Sequence, residues 1–292
     1  FAAFDKHLRA NVPSGFQRRE SVNPKLSTLY KLVDNRGVSW DVFKKSVDTL
    51  SEKVGDDPTR TWLSCGTLGG GNHFCEIGRD EGRHLLWLIV HSGSRHLGLA
   101  VAQHHQGKAK DNMGPRGGLA WLEGAEAQEY LGDMRLAQKF AHLNRLVMLD
   151  TLTDFFDMPL GGLVQSVHNF IGDDDVIRKG AISAAEGEDV IIPWNMRDGT
   201  VLGLGKGNAD WNNSAPHGAG RKMSRSAARK RLNLDAFRKT MEEAGVWTSC
   251  VHKSTLDEAP GAYKAPVNIT SYLGETVEVT ATLKPIYNFK AS

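Results

Sequence analysis

Gly66-Thr67-Leu68-Gly69-Gly70-Gly71-Asn72-His73-Phe74-Cys75-Glu76-Ile77 decides how the chain is read: a glycine-rich loop ends in Asn-His and runs straight into a short apolar stretch. Glycine lets the backbone turn with positive φ and lets amides approach an anion closely. The apolar run Phe74–Ile77 is strand-sized, and Leu85–Val90 beyond it has the same character, so both are expected as buried strands. Further along, Leu163–Val167, Val190–Ile192 and Val201–Leu204 read as short strands. Thr276–Leu283 alternates with period two.

Helical signals lie between these strands. From Ser39, the residues Trp40, Phe43, Val47 and Leu50 recur at helical spacing, and Asp56-Asp57-Pro58 closes the segment. Ala125–Phe156 carries two adjacent apolar rows, Tyr130/Met134/Ala137/Ala141 and Leu136/Phe140/Leu143/Val147. Gly220–Leu232 reads as a strongly basic helix. The first 35 residues are polar, with turn signals at Pro13-Ser14-Gly15 and Asn23-Pro24. No regular βαβ rhythm links these elements. The expectation is an α+β fold, with residues 1–292 as one domain of mixed strands and helices.

Hydrophobic residues make up 40% and charged residues 24%, a globular composition that argues against disorder. The net charge is only +2, so contact with nucleic acid requires a local patch rather than a global field. Three cysteines, Cys65, Cys75 and Cys250, do not suggest a disulfide framework. With no long apolar run and no signal peptide, a cytoplasmic protein that does not engage a membrane is expected.

Four histidines stand among Gly, Asn and Ser: His73, His91 in His91-Ser92-Gly93-Ser94-Arg95, His168 in Val167-His168-Asn169, and His217 in Pro216-His217-Gly218-Ala219-Gly220-Arg221. Imidazole is the commonest transition-metal ligand, and distant histidines can assemble one site by folding. Their spacings match no zinc finger and no His-Glu-x-x-His motif. Separate histidines, each with its own hydrogen-bond partner, are the competing reading. His7, His84, His96, His104, His105, His142 and His252 lack this context and read as structural. The glycines around His217 open toward the expected basic helix, whose N-terminus would suit phosphate. Arg221, Lys222, Arg225, Arg229, Lys230 and Arg231 put six cations in eleven residues. Such a face can contact RNA phosphates or can simply be solvated.

Taken in order, these blocks resemble the RtcB family of RNA ligases. The resemblance rests on Gly66–Glu76, His91–Arg95, His168-Asn169, Arg178-Lys179-Gly180-Ala181, and His217–Arg221 through Met223-Ser224-Arg225, and runs from about residue 60 to Lys290. It implies a domain built around a metal and nucleotide pocket. The implied reaction seals an RNA 3′-phosphate or 2′,3′-cyclic phosphate to a 5′-hydroxyl through a histidine–GMP intermediate, with GTP and Mn²⁺ (two ions in the complete enzyme) as cofactors. The partners it implies are RNAs with broken ends, such as tRNA halves. His217 matches the nucleophile. His73, His91 and His168 match metal ligands, and His73 and His168 also border the nucleotide. Asn72, Glu76, Asn169, Pro193, Trp194, Asn195, Met196, Thr200, Gly218, Ala219, Gly220, Tyr263 and Lys290 match guanylate contacts. A neutral imidazole can attack phosphorus when its other nitrogen is held by a partner. Glu76 can accept from the guanine amino edge, and Lys290 can donate to guanine acceptors.

The sequence also departs from the family. The family's upstream Asp-x-Gly-Cys-Gly block, which completes the metal pair, has no counterpart here. The chain begins Phe1-Ala2-Ala3-Phe4, so either an upstream portion is missing or the metal site is incomplete. Ile177 stands where many members have histidine, and Trp194-Asn195 replaces Gly-Ser. The alternative to a ligase is therefore a catalytically impaired RNA- or nucleotide-binding relative. A metal-dependent phosphohydrolase is the third reading, and it would give His217 and Lys290 no shared purpose.

Overall fold

The alternation near the C-terminus does make a strand, and it continues to Lys290. The computed structural model describes residues 1–113 and 119–291. Contacts among them fall into two compact units. One comprises Phe1–Asp5, Gly71–Val90 and Leu160–Ser292; the other comprises Lys6–Gly70 and His91–Pro159. Both helices and antiparallel strands are well represented, so the fold is α+β.

The first unit holds β1 (Phe74–Asp80), β2 (Leu85–His91, its last residue grouped with the other unit), β3 (His168–Ile171), β4 (Ile177–Ser183), β5 (Asp189–Asn195), β6 (Gly199–Gly205), β7 (Ser214–Pro216) and β8 (Val277–Lys290). Five of them form one sheet in the order β2-β1-β8-β6-β5, and three form a second in the order β3-β4-β7. β8 lies between β1 and β6 and pairs antiparallel with both. From Ala281 to Ile286 it alternates between more and less buried positions, as a strand with one covered face should. Its last four residues, Tyr287-Asn288-Phe289-Lys290, are all buried, so Asn288 and Lys290 are polar side chains held inside. Phe74, Ile89, Leu202, Ala281 and Leu283 form one apolar cluster of this unit, and Val190, Ile192, Trp194, Val201 and Val277 belong to another.

The second unit is helical. Its elements are most of α1 (Ala2–Asn11), then α2 (Leu26–Tyr30), α3 (Trp40–Lys53), α4 (Pro58–Ser64), α5 (Arg95–Met113) and α6 (Gly124–Thr153). The Ser39 side chain caps α3 by accepting from the Val42 amide, and Asp57 caps α4 with Pro58 in its first turn. Asp56-Asp57-Pro58 therefore ends one helix and starts the next. Tyr30 stacks on Phe43 at 4.4 Å, and Trp62 bridges Trp40 and Phe140 at 5.4 and 5.6 Å. The first unit also carries α7 (Arg225–Arg231), α8 (Leu234–Glu243) and α9 (Val267–Leu273).

Four expectations change. β2 is an edge strand with Leu85 and Leu86 50% and 63% exposed, because β1 covers only one of its sides. Leu163–Val167 is not a strand; the ladder begins at His168. The polar N-terminal region contains two helices, α1 and α2. The basic helix is only Arg225–Arg231, because Gly220–Lys222 instead pairs with Ala262–Lys264 in an extended stretch. His217 therefore does not sit at a helix N-terminus.

Candidate active site

The small sheet gathers three sequence-distant motifs. His168 opens β3 opposite Ile182, Ala181 of β4 faces Pro216 of β7, and His217 follows Pro216 directly. The rings of His168 and His217 lie 4.9 Å apart between centres, tilted by 45°. His217 Nδ1 stands 2.6 Å from the Gly180 carbonyl oxygen. A carbonyl oxygen can only accept, so Nδ1 carries the proton and Nε2 carries the lone pair. The Gly180 amide donates in turn to Asn169 Oδ1 at 3.1 Å. Asn169 has φ +61° where β3 bulges between His168 and Phe170, a conformation that asparagine tolerates. Gly180 has φ +73°, while a Cβ there would meet His217 at an ordinary 3.7 Å. The backbone conformation, and not lack of space, therefore demands glycine.

From His217 the contacts lead to the large sheet. A Cβ on Gly218 would come 2.7 Å from the Pro193 carbonyl oxygen, so this loop lies directly on the end of β5. Pro193 faces Thr200 across the β5–β6 ladder. The Thr200 hydroxyl donates to Glu76 Oε1 at 3.2 Å, and Asn288 Nδ2 donates to Glu76 Oε2 at 2.8 Å. Glu76 is 1% exposed, and burial pushes its carboxyl up to about 7 against those hydrogen bonds and the Lys290 charge. Lys290 is also buried, which lowers its ammonium despite a carboxylate partner. Its Nζ stands 3.2 Å from the Asn72 carbonyl oxygen and 4.7 Å from the Phe74 ring centre. Trp194 and Met196 pack into apolar clusters, and the Asn195 side chain closes its own turn onto Arg197 and Asp198. Ala219 is buried, and Gly220 accepts from the Lys264 amide.

Besides Asn288, the residues that sequence reading did not single out are Asp257 and Glu258. Both are 2% exposed, at the end of a short 3₁₀ turn. Glu258 Oε2 accepts from Lys290 Nζ at 3.2 Å and from the Tyr263 hydroxyl. Its Oε1 takes Arg221 at 3.2 Å and Arg225 at 3.6 Å. Asp257 takes Arg229 at 3.1 Å and Arg225 at 3.7 Å. Arg221 also lies over the Tyr263 ring at 5.1 Å. Burial first, then the Glu258 charge, pushes the Tyr263 phenol well above its usual range. Three of the six clustered cations are thus spoken for by two buried carboxylates; Lys222, Lys230 and Arg231 are exposed. No local pattern marks Asp257-Glu258 in the sequence.

Asn72, His73, Glu76, His168, Asn169, Pro193–Met196, Thr200, His217–Gly220, Tyr263 and Lys290 all belong to the sheet-bearing unit, and His91 to the helical one. Among the described residues, no three His, Cys, Asp or Glu side chains are arranged to hold a metal ion. Cys65, Cys75 and Cys250 are buried free thiols, and no helix among the described residues is long and apolar enough to cross a membrane.

An antiparallel α+β scaffold carrying a histidine oriented by a backbone carbonyl and a buried Glu–Lys pair defines the kind of site this is. The family follows from comparison with known proteins: the profile described as tRNA-splicing ligase RtcB matches residues 2–291, and the chain belongs to that family. It is 32% identical to the RNA-splicing ligase RtcB1 of Escherichia coli ATCC 25922 over 256 residues, 78% of this chain and 61% of that protein. The RNA-splicing ligase RtcB of E. coli K12 gives the same figures of 32%, 78% and 61%. The tRNA-splicing ligase RtcB of Thermococcus kodakarensis is 26% identical over 96% of this chain and 73% of its own length. The chain thus spans about three-fifths (61%) of the length of the E. coli relatives.

Proposed function

We propose that this chain is an RNA ligase that joins a 3′-phosphate or 2′,3′-cyclic phosphate end to a 5′-hydroxyl end, using GTP. One observation carries the reading: His217 holds its Nδ1 proton on the Gly180 carbonyl and leaves Nε2 as a nucleophile. Nε2 attacks the α-phosphorus of GTP, an N–P bond forms, and pyrophosphate leaves with the electrons of the broken P–O bond. The Gly180 carbonyl stabilises the imidazolium so formed. A 2′,3′-cyclic end is first opened by water, which adds to phosphorus while the 2′-oxygen leaves and takes a proton; an RNA 3′-phosphate oxygen then takes the guanylate from His217. The 5′-hydroxyl attacks the activated phosphate, loses its proton and expels GMP. Glu76 and Lys290 offer an acceptor and a donor of the kind a guanine edge requires.

RNA with broken ends is the proposed partner, with exposed Lys222, Lys230 and Arg231 available to phosphates. Mn²⁺ is the proposed metal. Intact mass and peptide mapping after incubation with GTP, with and without Mn²⁺, test the reading. The expected result is a GMP adduct on His217 that needs the metal and is absent in His217→Ala. GTP binding without any adduct would favour the second reading, a nucleotide-binding relative without catalysis.

A further inference from the structure

Glu258 is a carboxylate with more partners than its own solubility requires. It lies 2% exposed and joins two parts of the site. Through Oε2 it holds Lys290, at the end of β8, and through Oε1 it holds Arg221, which closes the loop carrying His217. Tyr263 completes the bridge, giving its hydroxyl to Glu258 while accepting from Arg221 at 3.4 Å. We propose that Glu258 is a positioning residue that sets nucleobase preference, by keeping the Lys290 ammonium away from Glu76 and locked to the His217 loop. The proposal rests on the GTP reading above and goes beyond it in assigning a role to a residue that does not itself read the base.

Two carboxyls compete for one ammonium here. Lys290 and Glu76 sense each other's charge inside the same buried region. Without a carboxylate at position 258, Lys290 would gain most by turning to Glu76, and donor and acceptor would then satisfy each other. As arranged, Lys290 donates to Glu258 and to the Asn72 carbonyl, which leaves the third of its three N–H groups for a ligand. Glu76, hydrogen-bonded by Thr200 and Asn288, stays apart as an acceptor. A fixed donor beside a separate acceptor suits the keto and amino groups of guanine. Adenine presents an amino group where guanine presents the keto oxygen, and would meet the ammonium donor to donor.

The test compares wild type with Glu258→Gln, using GTP and ATP as calorimetric probes and urea unfolding from pH 5 to pH 8 without nucleotide. The ratio of GTP to ATP affinity should fall by roughly ten- to a hundredfold, the worth of one charge-assisted hydrogen bond. The pH dependence contributed by Glu76 should flatten, because Lys290 becomes its partner. A purely structural Glu258 would lower stability equally at every pH and leave the GTP preference intact; that result in a folded variant overturns the proposal. If wild type binds no GTP, the ligase reading fails, and the pH slope alone decides: flattening in Glu258→Gln supports the Lys290 assignment, and an unchanged slope refutes it. Should Glu258→Gln not fold, Glu258→Asp keeps the charge on a shorter side chain. The same changes are then expected at smaller size, and their absence counts against the proposal.

Discussion

At Glu76 the physics of one carboxyl makes a pH prediction. Its ordinary value of 4.5 rises to about 7 in the folded protein because burial disfavours the charge. A folded value above the unfolded one means that the group's contribution is fully present below about pH 4.5 and is lost as pH rises through about 7. Glu76→Gln removes that loss. In urea unfolding, the variant should gain on wild type between pH 5 and pH 8 by up to roughly 3 kcal/mol, since each tenfold change in proton affinity is worth about 1.4 kcal/mol. A difference constant with pH would show that Glu76 is already ionised when folded. Asn288 can follow the change, since its Oδ1 is a buried atom without a hydrogen-bond partner and can accept from the new amide if the side chain flips. The His217 tautomer is also a residue-scale matter, yet it depends on Gly180, remote in sequence. His217 alone could be recognised from its glycine-rich surroundings; the identity of its orienting partner could not.

At the scale of elements, two loops depend on single contacts. Gly218→Ala would drive a methyl into the Pro193 carbonyl at 2.7 Å, a gap no real Cβ occupies, so the His217 loop must shift away from β5. The rate of GMP adduct formation should fall by about 10²-fold or more, the usual cost of displacing a reacting group by an ångström. Thermal stability should change far less. An adduct rate near wild type would show that the loop can give without moving His217. In the helical unit, Asn144 of α6 is fully buried: its Oδ1 accepts from the Gly66 and Thr67 amides, and its two Nδ2 protons are shared among the Thr67 carbonyl, the Ser92 hydroxyl and the Gly93 carbonyl, all within 3.2 Å. It ties together the starts of two signature blocks. Asn144→Ala leaves several buried groups unpaired at roughly 1–3 kcal/mol each, so a loss of about 3 kcal/mol or more is expected in denaturant unfolding. The apolar rows of α6 were legible from spacing. Asn144 was not, because an asparagine within a helical pattern looks like any other polar residue.

For the molecule as a whole, a net charge of +2 leaves the proposed RNA contact to local cations. Arg221, Arg225 and Arg229 already face buried carboxylates, so the exposed Lys230 and Arg231 are the candidates to test for the proposed phosphate contact. Lys230→Ala with Arg231→Ala should reduce the slope of log affinity against log salt by about 1.4 for single-stranded RNA, at about 0.7 per phosphate contact. An unchanged slope would place the RNA elsewhere. The amino-acid sequence by itself determined the α+β class, the strands β1, β5, β6 and β8, the helices α3 and α6, and the order of the glycine- and histidine-bearing blocks that mark the family. Each of these is written in local spacing, which reports the periodicity of one element. Only the tertiary structure decided that β2 is an edge, that His217 lies in an extended loop rather than at a helix end, and that Asp257, Glu258 and Asn288 belong to the site. Those outcomes depend on strand order and on partners brought across a sheet, and a carboxylate or amide acquires its role there from burial, which leaves no local pattern in the chain.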